Sequence, residues 1–243
     1  MRYWLTPKPD PEFSEKTAQI CQLYAQAHSA AQAGHRTISI DEMTGIQARQ
    51  RAAPGLPMRP GLVERQEFEY IRHGTQTLIA AFDVASGKVT GQIGDTRTEA
   101  DFARFLDTLF SSAPADTRWT IILDNLNTHL SESAVRVVAK HLGIEQHSLG
   151  EKGKRGILKS KQTRQTFLTD PGHCITFQYT PIHASWLNQI EIWFSILARK
   201  LIRRSSFTSK DDLRTKITRF IDYFNETLAK PFKWTYAGKP LKA

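Results

Sequence analysis

The chain has 243 residues, 40% hydrophobic and 23% charged, a composition that suits one sizeable globular domain and excludes disorder or a repeat array. A formal charge of +9 favours a polyanionic partner, because clustered Lys and Arg gain by releasing counterions from phosphates. Two cysteines, Cys21 and Cys174, exclude a disulfide framework and a zinc knuckle, and no apolar run approaches the roughly 20 residues that span a bilayer. The first residues also lack the apolar core of a signal peptide, so a cytoplasmic protein in a reducing compartment is expected, with no membrane partner.

MRYWLTPKPDPEF carries three prolines and reads as an extended linker. Ser14 can cap a short helix carrying Ile20, Cys21 and Tyr24, and an Ala/Gln/Gly stretch then leads to RTISID. There Ile38 and Ile40 alternate with Thr37 and Ser39, which predicts a strand ending at Asp41. Residues 43–74 turn irregular, with Pro54, Pro57 and Pro60 and with Arg49, Arg51, Arg59, Arg65 and Arg72, and read as a long basic loop. TLIAAFDV and KVTGQI, joined through Gly87, predict a hairpin with Asp83 near its turn. The next helix has Thr98 and Asp101 at capping-box spacing and Phe102, Phe105, Leu106, Leu109 and Phe110 on one face.

The continuous apolar run from Trp119 to Leu123 predicts a buried strand that stops at Asp124. A helix from about Ser131 ends at Gly143, after which GEKGKRGILKSKQTR is glycine-broken and basic, a segment expected in solvent or against phosphate. CITFQY predicts another strand. A helix follows with Ser185 as its N-cap, Glu191 in its second turn and Leu187, Ile190, Phe194, Leu197 and Leu201 as its apolar stripe. The last helix, after Thr208 or Ser209, places Leu213, Ile217, Phe220, Ile221 and Phe224 on one face. The order of elements predicts a mixed α/β architecture, an antiparallel hairpin attached to parallel strands and flanked by helices.

Asp41 and Asp124 both terminate strands, and open α/β sheets place their sites just outside strand carboxyl ends. If the strands are neighbours the two charges meet, which is costly unless a proton or a divalent cation lies between them. Glu191 is the candidate third acid. Beside an apolar stripe it either snorkels at the edge or pairs with something positive, and helix geometry leaves both readings open.

The motifs IDEMTGIQA, FEYIRHGTQTLIAAFDV, LDNLNTH, YTPIHASWLNQIEIWFS and FNETLAKPFKWTY resemble the catalytic domain of bacterial insertion-sequence transposases of the mariner superfamily, in the same order over nearly the whole chain. The resemblance implies a ribonuclease H-like fold with a mixed five-stranded sheet, and a catalytic, metal-binding Asp-Asp-Glu triad at Asp41, Asp124 and Glu191. It implies two Mg²⁺ ions per site, with Mn²⁺ as an alternative, acting on a phosphodiester. The family cuts DNA at terminal inverted repeats and joins the freed end to a target, generally at TA. A homodimer on double-stranded DNA and a nucleoid location in a bacterial cytoplasm follow. The alternatives are a catalytically silent DNA-binding remnant and a nuclease of the same fold.

Two departures from the family stand out. The gap between Asp124 and Glu191 is long, and its surplus falls in a basic insertion at 143–172, which is expected to loop out without moving the acids. The chain also begins at the linker where family members carry helix-turn-helix modules, so 1–36 is expected to be linker and short helix, and 37–243 the catalytic domain.

Around the acids, strand alternation points Glu42 away from Asp41. Asn125 and Asn127 read as loop-ordering groups, Asn188 as a hydrogen-bonding support near the helix start, and His129 and His183 as supporting groups, DNA contacts or simply satisfied polar residues, neither of them catalytic. Trp186 and Trp193 read as core. The Arg-rich 43–74 loop occupies the place of the family's clamp loop, which implies contacts with DNA and a partner subunit. Lys152, Lys154, Arg155, Lys159, Lys161 and Arg164 form a second set of phosphate-contact candidates, and Arg199, Lys200, Arg203 and Arg204 a third.

Overall fold

Apolar alternation along the strands builds the sheet and decides which helix packs on which face. The computed structural model describes residues 10–236, so Pro7 and Pro9 of the expected linker lie outside the described residues. In chain order the elements are α1 (Phe13–Gln32), β1 (His35–Arg51), β2 (Tyr70–Asp83), β3 (Val89–Gly94), α2 (Glu99–Ser111) and β4 (Arg118–Leu123). Then come α3 (Glu132–His141), α4 (Lys161–Leu168), β5 (Ile175–Tyr179), α5 (Ile190–Leu197) and α6 (Lys210–Thr227). The sheet order is β3-β2-β1-β4-β5. β1, β2 and β3 pair antiparallel, while β4 runs parallel to both β1 and β5, which is the mixed sheet the sequence predicts.

Successive strand residues enter opposite cores. Ile38, Ile40, Ile121 and Leu123 pack against Phe102, Phe105 and Leu106 of α2 and Val135 and Val138 of α3. Leu78, Ala80, Phe82 and Ile122 face the other way, onto Ile20 and Tyr24 of α1, Trp193 of α5 and Leu213 and Ile217 of α6. Thr98 and Asp101 form the expected reciprocal capping box, and Ser209 caps α6. No helix among the described residues is long and apolar enough to cross a membrane.

Four sequence expectations change. First, α1 is a 20-residue helix that absorbs the Ala/Gln stretch, with Ser14 inside it rather than at its cap. The Tyr24 hydroxyl donates to the Leu187 carbonyl at 2.7 Å, tying α1 to the segment that leads to Glu191. Second, β1 continues ten residues past Asp41, to Arg51, because β2 supplies ladder partners such as Met43↔Leu78 and Arg49↔Arg72. The expected loop at 43–74 therefore shrinks to an arm over 52–69, itself closed by the bridges Leu56↔Arg65 and Arg59↔Leu62.

Third, the 143–172 insertion does not loop out. Leu149, Leu158, Phe167 and Leu168 enter the core beside α2 and α3. Fourth, Ser185 does not cap the Glu191 helix. Ser185–Leu187 form one short 3-10 turn, the chain bends through Asn188, and α5 starts at Ile190, so Glu191 sits in its first turn. Trp193 is fully buried as read, whereas Trp186 is half-exposed and packs against Tyr236.

Candidate active site

The β1–β4 parallel register ends at Ser39↔Ile122, and Asp41 and Asp124 follow it two residues later at the same end of the sheet. Asp41 is buried. Its Oδ1 accepts the Glu42 backbone N–H at 2.8 Å, and its Oδ2 lies 3.4 Å from the donating amide of Asn188, which also donates to the Ile40 carbonyl at 2.8 Å. Burial pushes the Asp41 carboxyl up to about 7; the Glu42 N–H opposes this, and the negative charges of Asp124, Glu42 and Glu191 add to it.

Asp124 leaves β4 into the loop before α3. Its Oδ1 accepts the Leu126 N–H at 2.9 Å and lies 2.8 Å from His129 Nδ1. Burial would raise this carboxyl, but the hydrogen bond and charge of His129, the Leu126 N–H and the charge of Arg97 outweigh it and hold Asp124 below its ordinary value. Glu191 projects from the first turn of α5, where partial burial of its carboxyl and the charge of Asp124 push it up. The three acids thus come from within β1, from the end of β4 and from the start of α5, and the charges of Asp124 and Glu191 bear on Asp41 while that of Asp124 bears on Glu191.

The next shell is organised by residues that sequence reading left unconnected. Strand alternation does send Glu42 to the face opposite Asp41, yet its carboxylate returns to the site through His129, whose Nε2 lies 3.0 Å from Glu42 Oε1. Both side chains are sealed from solvent, at 0% and 2% exposure. Burial alone would lower the imidazole, but hydrogen bonds to Asp124 and Glu42 and their charges raise it to about 10. An acid on the face that otherwise carries Ile38 and Ile40 needs a buried partner, and that is the signal by which Glu42 could have been found. Arg97, whose charge reaches Asp124, has no such signal.

Asn125 donates to the Thr180 carbonyl at 2.7 Å, which orders the loop as read. With Asp124, Thr180, Pro181, His183 and Ser185 it lines a cleft of about 350 Å³. His183 holds a left-handed backbone conformation there, with φ of 63°. Farther out, the guanidinium groups of Arg49 and Arg72 both stand over the Tyr70 ring, at 5.4 and 5.3 Å. Arg51 is tied to the Glu67 carbonyl and the Gln66 side chain, and Arg59 and Arg65 are exposed on the 52–69 arm. Lys154 and Arg155 pair with Glu151, and Lys152 stands 3.8 Å from Glu99. Lys159 is exposed, and Lys161 donates to Asn127 Oδ1 at 3.0 Å, three residues beyond Asp124. Arg164 does not face solvent phosphate: it donates to the Leu130 and Leu158 carbonyls and anchors α4.

The donor set suits a hard divalent cation. Neither Asp41 nor Glu191 has a cationic partner among the described residues, and the charges acting on them are those of other carboxylates. Asn188 Oδ1 is buried without a hydrogen-bond partner next to Asp41. Among the described residues no three His, Cys, Asp or Glu side chains close around one point. Mg²⁺ sites in phosphoryl transfer are commonly built this way, with one or two carboxylates and the remaining positions filled by water and substrate phosphate.

The family model of the DDE superfamily endonucleases matches residues 36–214, a span that holds Asp41, Asp124 and Glu191. The chain is a DDE superfamily endonuclease. Among solved structures the endonuclease is similar to the catalytic domain of Mos1 mariner transposase, with 10% identity, a TM-score of 0.51, and coverage of 90% of this chain and 85% of that one. It is also similar to Mos1 transposase in a paired-end complex with the left transposon end, at 13% identity and a TM-score of 0.52. A pre-cleavage Mos1 transpososome gives 12% identity and a TM-score of 0.50. In both of these the match covers 91% of the endonuclease and 58% of the longer Mos1 chain. The likeness shows that the fold is ribonuclease H-like. No curated protein matches the sequence.

Proposed function

We propose that this endonuclease is the catalytic domain of a transposase that cuts DNA at terminal inverted repeats and transfers the freed end into target DNA at TA. What supports the reading is that the charges of Asp124 and Glu191 both bear on Asp41 at one end of the sheet, within the family-matched span and with no cationic partner for Asp41 or Glu191 among the described residues. Support comes also from the fold shared with a Mos1 transposase held on a transposon end.

Asp41, Asp124 and Glu191 would hold two divalent ions, Mg²⁺ or Mn²⁺, which when bound activate the attacking oxygen and stabilise the leaving oxygen of a phosphodiester. The chain's own groups prepare that site. The Asn188 amide and the Glu42 N–H fix the Asp41 carboxylate, and the Leu126 N–H and His129 fix that of Asp124. Lys161 and Arg97 bring positive charge to the loop beside Asp124, where a scissile strand carries its own negative charge.

Duplex DNA flanking the cut is the partner of the basic surface, which includes Arg49, Arg59, Arg65 and Arg72 and also Lys152, Lys154, Arg155 and Lys159. The 52–69 arm exposes Met58 and Phe68, at 77% and 84%, and a second copy of the chain on paired ends is the proposed occupant of that surface. A DNA-bound, nucleoid location follows from the same reading.

The test incubates the protein with labelled inverted-repeat DNA and a target duplex in Mg²⁺ or Mn²⁺, in EDTA, and with Asp124→Asn. Metal-dependent nicking and joined product from the wild type alone are expected. Equal products from both proteins would defeat the triad assignment, and nicking without joined product would make the chain a nuclease of the same fold.

A further inference from the structure

His129 stands between two carboxylates with no room to turn. Its Nδ1 lies 2.8 Å from Asp124 Oδ1 and its Nε2 3.0 Å from Glu42 Oε1. Its ring packs against Phe102 at 4.6 Å between centroids, and its backbone carbonyl accepts the Tyr179 hydroxyl at 3.2 Å. Rotation of the ring would carry carbon to positions now occupied by nitrogen, and both carboxylates would lose the nitrogen that faces them, Glu42 in a space closed to solvent. Glu42 therefore locks the ring, and the ring in turn faces one particular oxygen of Asp124.

The consequence lies in how the two oxygens of Asp124 are used. Oδ1 accepts the Leu126 N–H at 2.9 Å and stands in an ion pair with His129 Nδ1 at 2.8 Å, while the same nitrogen hydrogen-bonds the Asp124 backbone carbonyl at 3.2 Å. Both protein contacts to the carboxylate therefore fall on this one oxygen. Oδ2 accepts no hydrogen bond among the described residues, and Asp124 keeps about a third of its side chain, 34%, open to solvent. The carboxylate is thus held by one oxygen and offered by the other.

We infer that Glu42 and His129 are positioning residues that clamp Asp124 Oδ1 so that Oδ2 is presented to a divalent cation. The inference rests on the metal-dependent reading above and adds two residues, 87 positions apart in the chain, to what that site requires. It also gives Glu42 a part in the site without making it a ligand, since its carboxylate is sealed behind the imidazole.

The test measures Mn²⁺ affinity of the full chain from the electron paramagnetic resonance signal of free Mn²⁺, alongside a thermal melt of each variant. Outer-shell partners of this kind typically change metal affinity by about 10–100-fold. Glu42→Ala is expected to bind Mn²⁺ more weakly by that factor. Glu42→Gln, which keeps the shape and an acceptor oxygen for Nε2, is expected to fall between it and the wild type. Saturating Mn²⁺ should restore DNA nicking in Glu42→Ala but not in Asp124→Asn. A merely structural role would lower the melting temperature and leave the affinity of the folded protein unmoved.

If Asp124→Asn loses Mn²⁺ while both Glu42 variants bind within twofold of the wild type, the positioning role is wrong and the metal site stands. If Asp124→Asn binds like the wild type, or the wild type does not bind, the metal reading fails and this inference falls with it. Should Glu42→Ala not fold, Glu42→Gln decides alone, with binding more than twofold weaker supporting the role and anything closer overturning it.

Discussion

Replacing His129 with Leu in the metal-free protein isolates the energetics of the buried clamp. The substitution strands the Glu42 carboxylate, 2% exposed, with no donor for Oε1. Removing one partner of a buried ion pair costs about 3–5 kcal/mol, because the other charge stays behind uncompensated. The protonation of His129 leads to a similar figure. Its value rises from 6.5 to about 10 on folding, and at pH 7 the span of about 3 pH units, at about 1.4 kcal/mol each, corresponds to about 4 kcal/mol. A chain of this size loses about 2–4 °C of melting temperature per kcal/mol, so His129→Leu should melt about 6–20 °C below the wild type.

The double variant Glu42→Leu/His129→Leu supplies the control. It buries apolar groups where the pair stood and should recover most of the loss, as such replacements usually do. Circular dichroism melts in EDTA at pH 7 measure all four corners of the cycle. A double variant as unstable as the sum of the two single ones would show no coupling and refute the reasoning. The pH dependence has a fixed sign: a base whose folded value is raised contributes its full stabilisation below about 6.5 and loses it as pH climbs through about 10. The wild type should therefore lose more stability than His129→Leu between pH 7 and 10.

Two further outcomes follow from the same structure. Asp41 is an acid whose folded value is raised from 3.8 to about 7, so metal-free wild type loses stability as pH rises through that window. Asp41→Asn removes this loss and should melt at least about 2 °C higher than wild type at pH 8 in EDTA, the shift given by about 1 kcal/mol, while losing DNA cleavage; a lower melting temperature at pH 8 would contradict the assignment. Gly87 turns the β2–β3 hairpin at φ of 74°, and a Cβ there would run into the Lys230 backbone. Gly87→Ala should cost about 2–5 kcal/mol from the left-handed conformation and the overpacking together, and a denaturant midpoint equal to wild type would disprove that contact.

The two aspartates were legible because the apolar patterns that precede them, ISI and WTIIL, stop abruptly at Asp41 and Asp124, although β1 itself runs on past Asp41. Those strands do form, and they lie side by side. The extension of β1 was not legible. Residues 43–51 mix Thr, Gly, Gln and Arg, and only the backbone ladder offered by β2 makes them a strand. The start of α5 was misplaced for a related reason. Ser185 looks like a cap, but Tyr24 captures the Leu187 carbonyl, and Asn188 turns inward to Ile40 and Asp41, so the chain bends before the helix begins. In the basic insertion, Leu149, Leu158, Phe167 and Leu168 are too widely spaced among charges to show a period, and their burial is decided by tertiary space beside α3. The Glu42–His129 contact spans 87 residues, beyond the reach of any local pattern.

The central claim is that the three carboxylates act together on DNA, and Glu191 tests it most directly because it lies exposed on a helix rather than in the sheet. Glu191→Gln keeps the size of the side chain and a polar end, so its melt should match the wild type. The decisive measurement is nicking of labelled inverted-repeat DNA by this variant in saturating Mn²⁺. No cleavage from a protein that folds and binds DNA normally is the expected result, and cleavage at the wild-type rate would contradict the account.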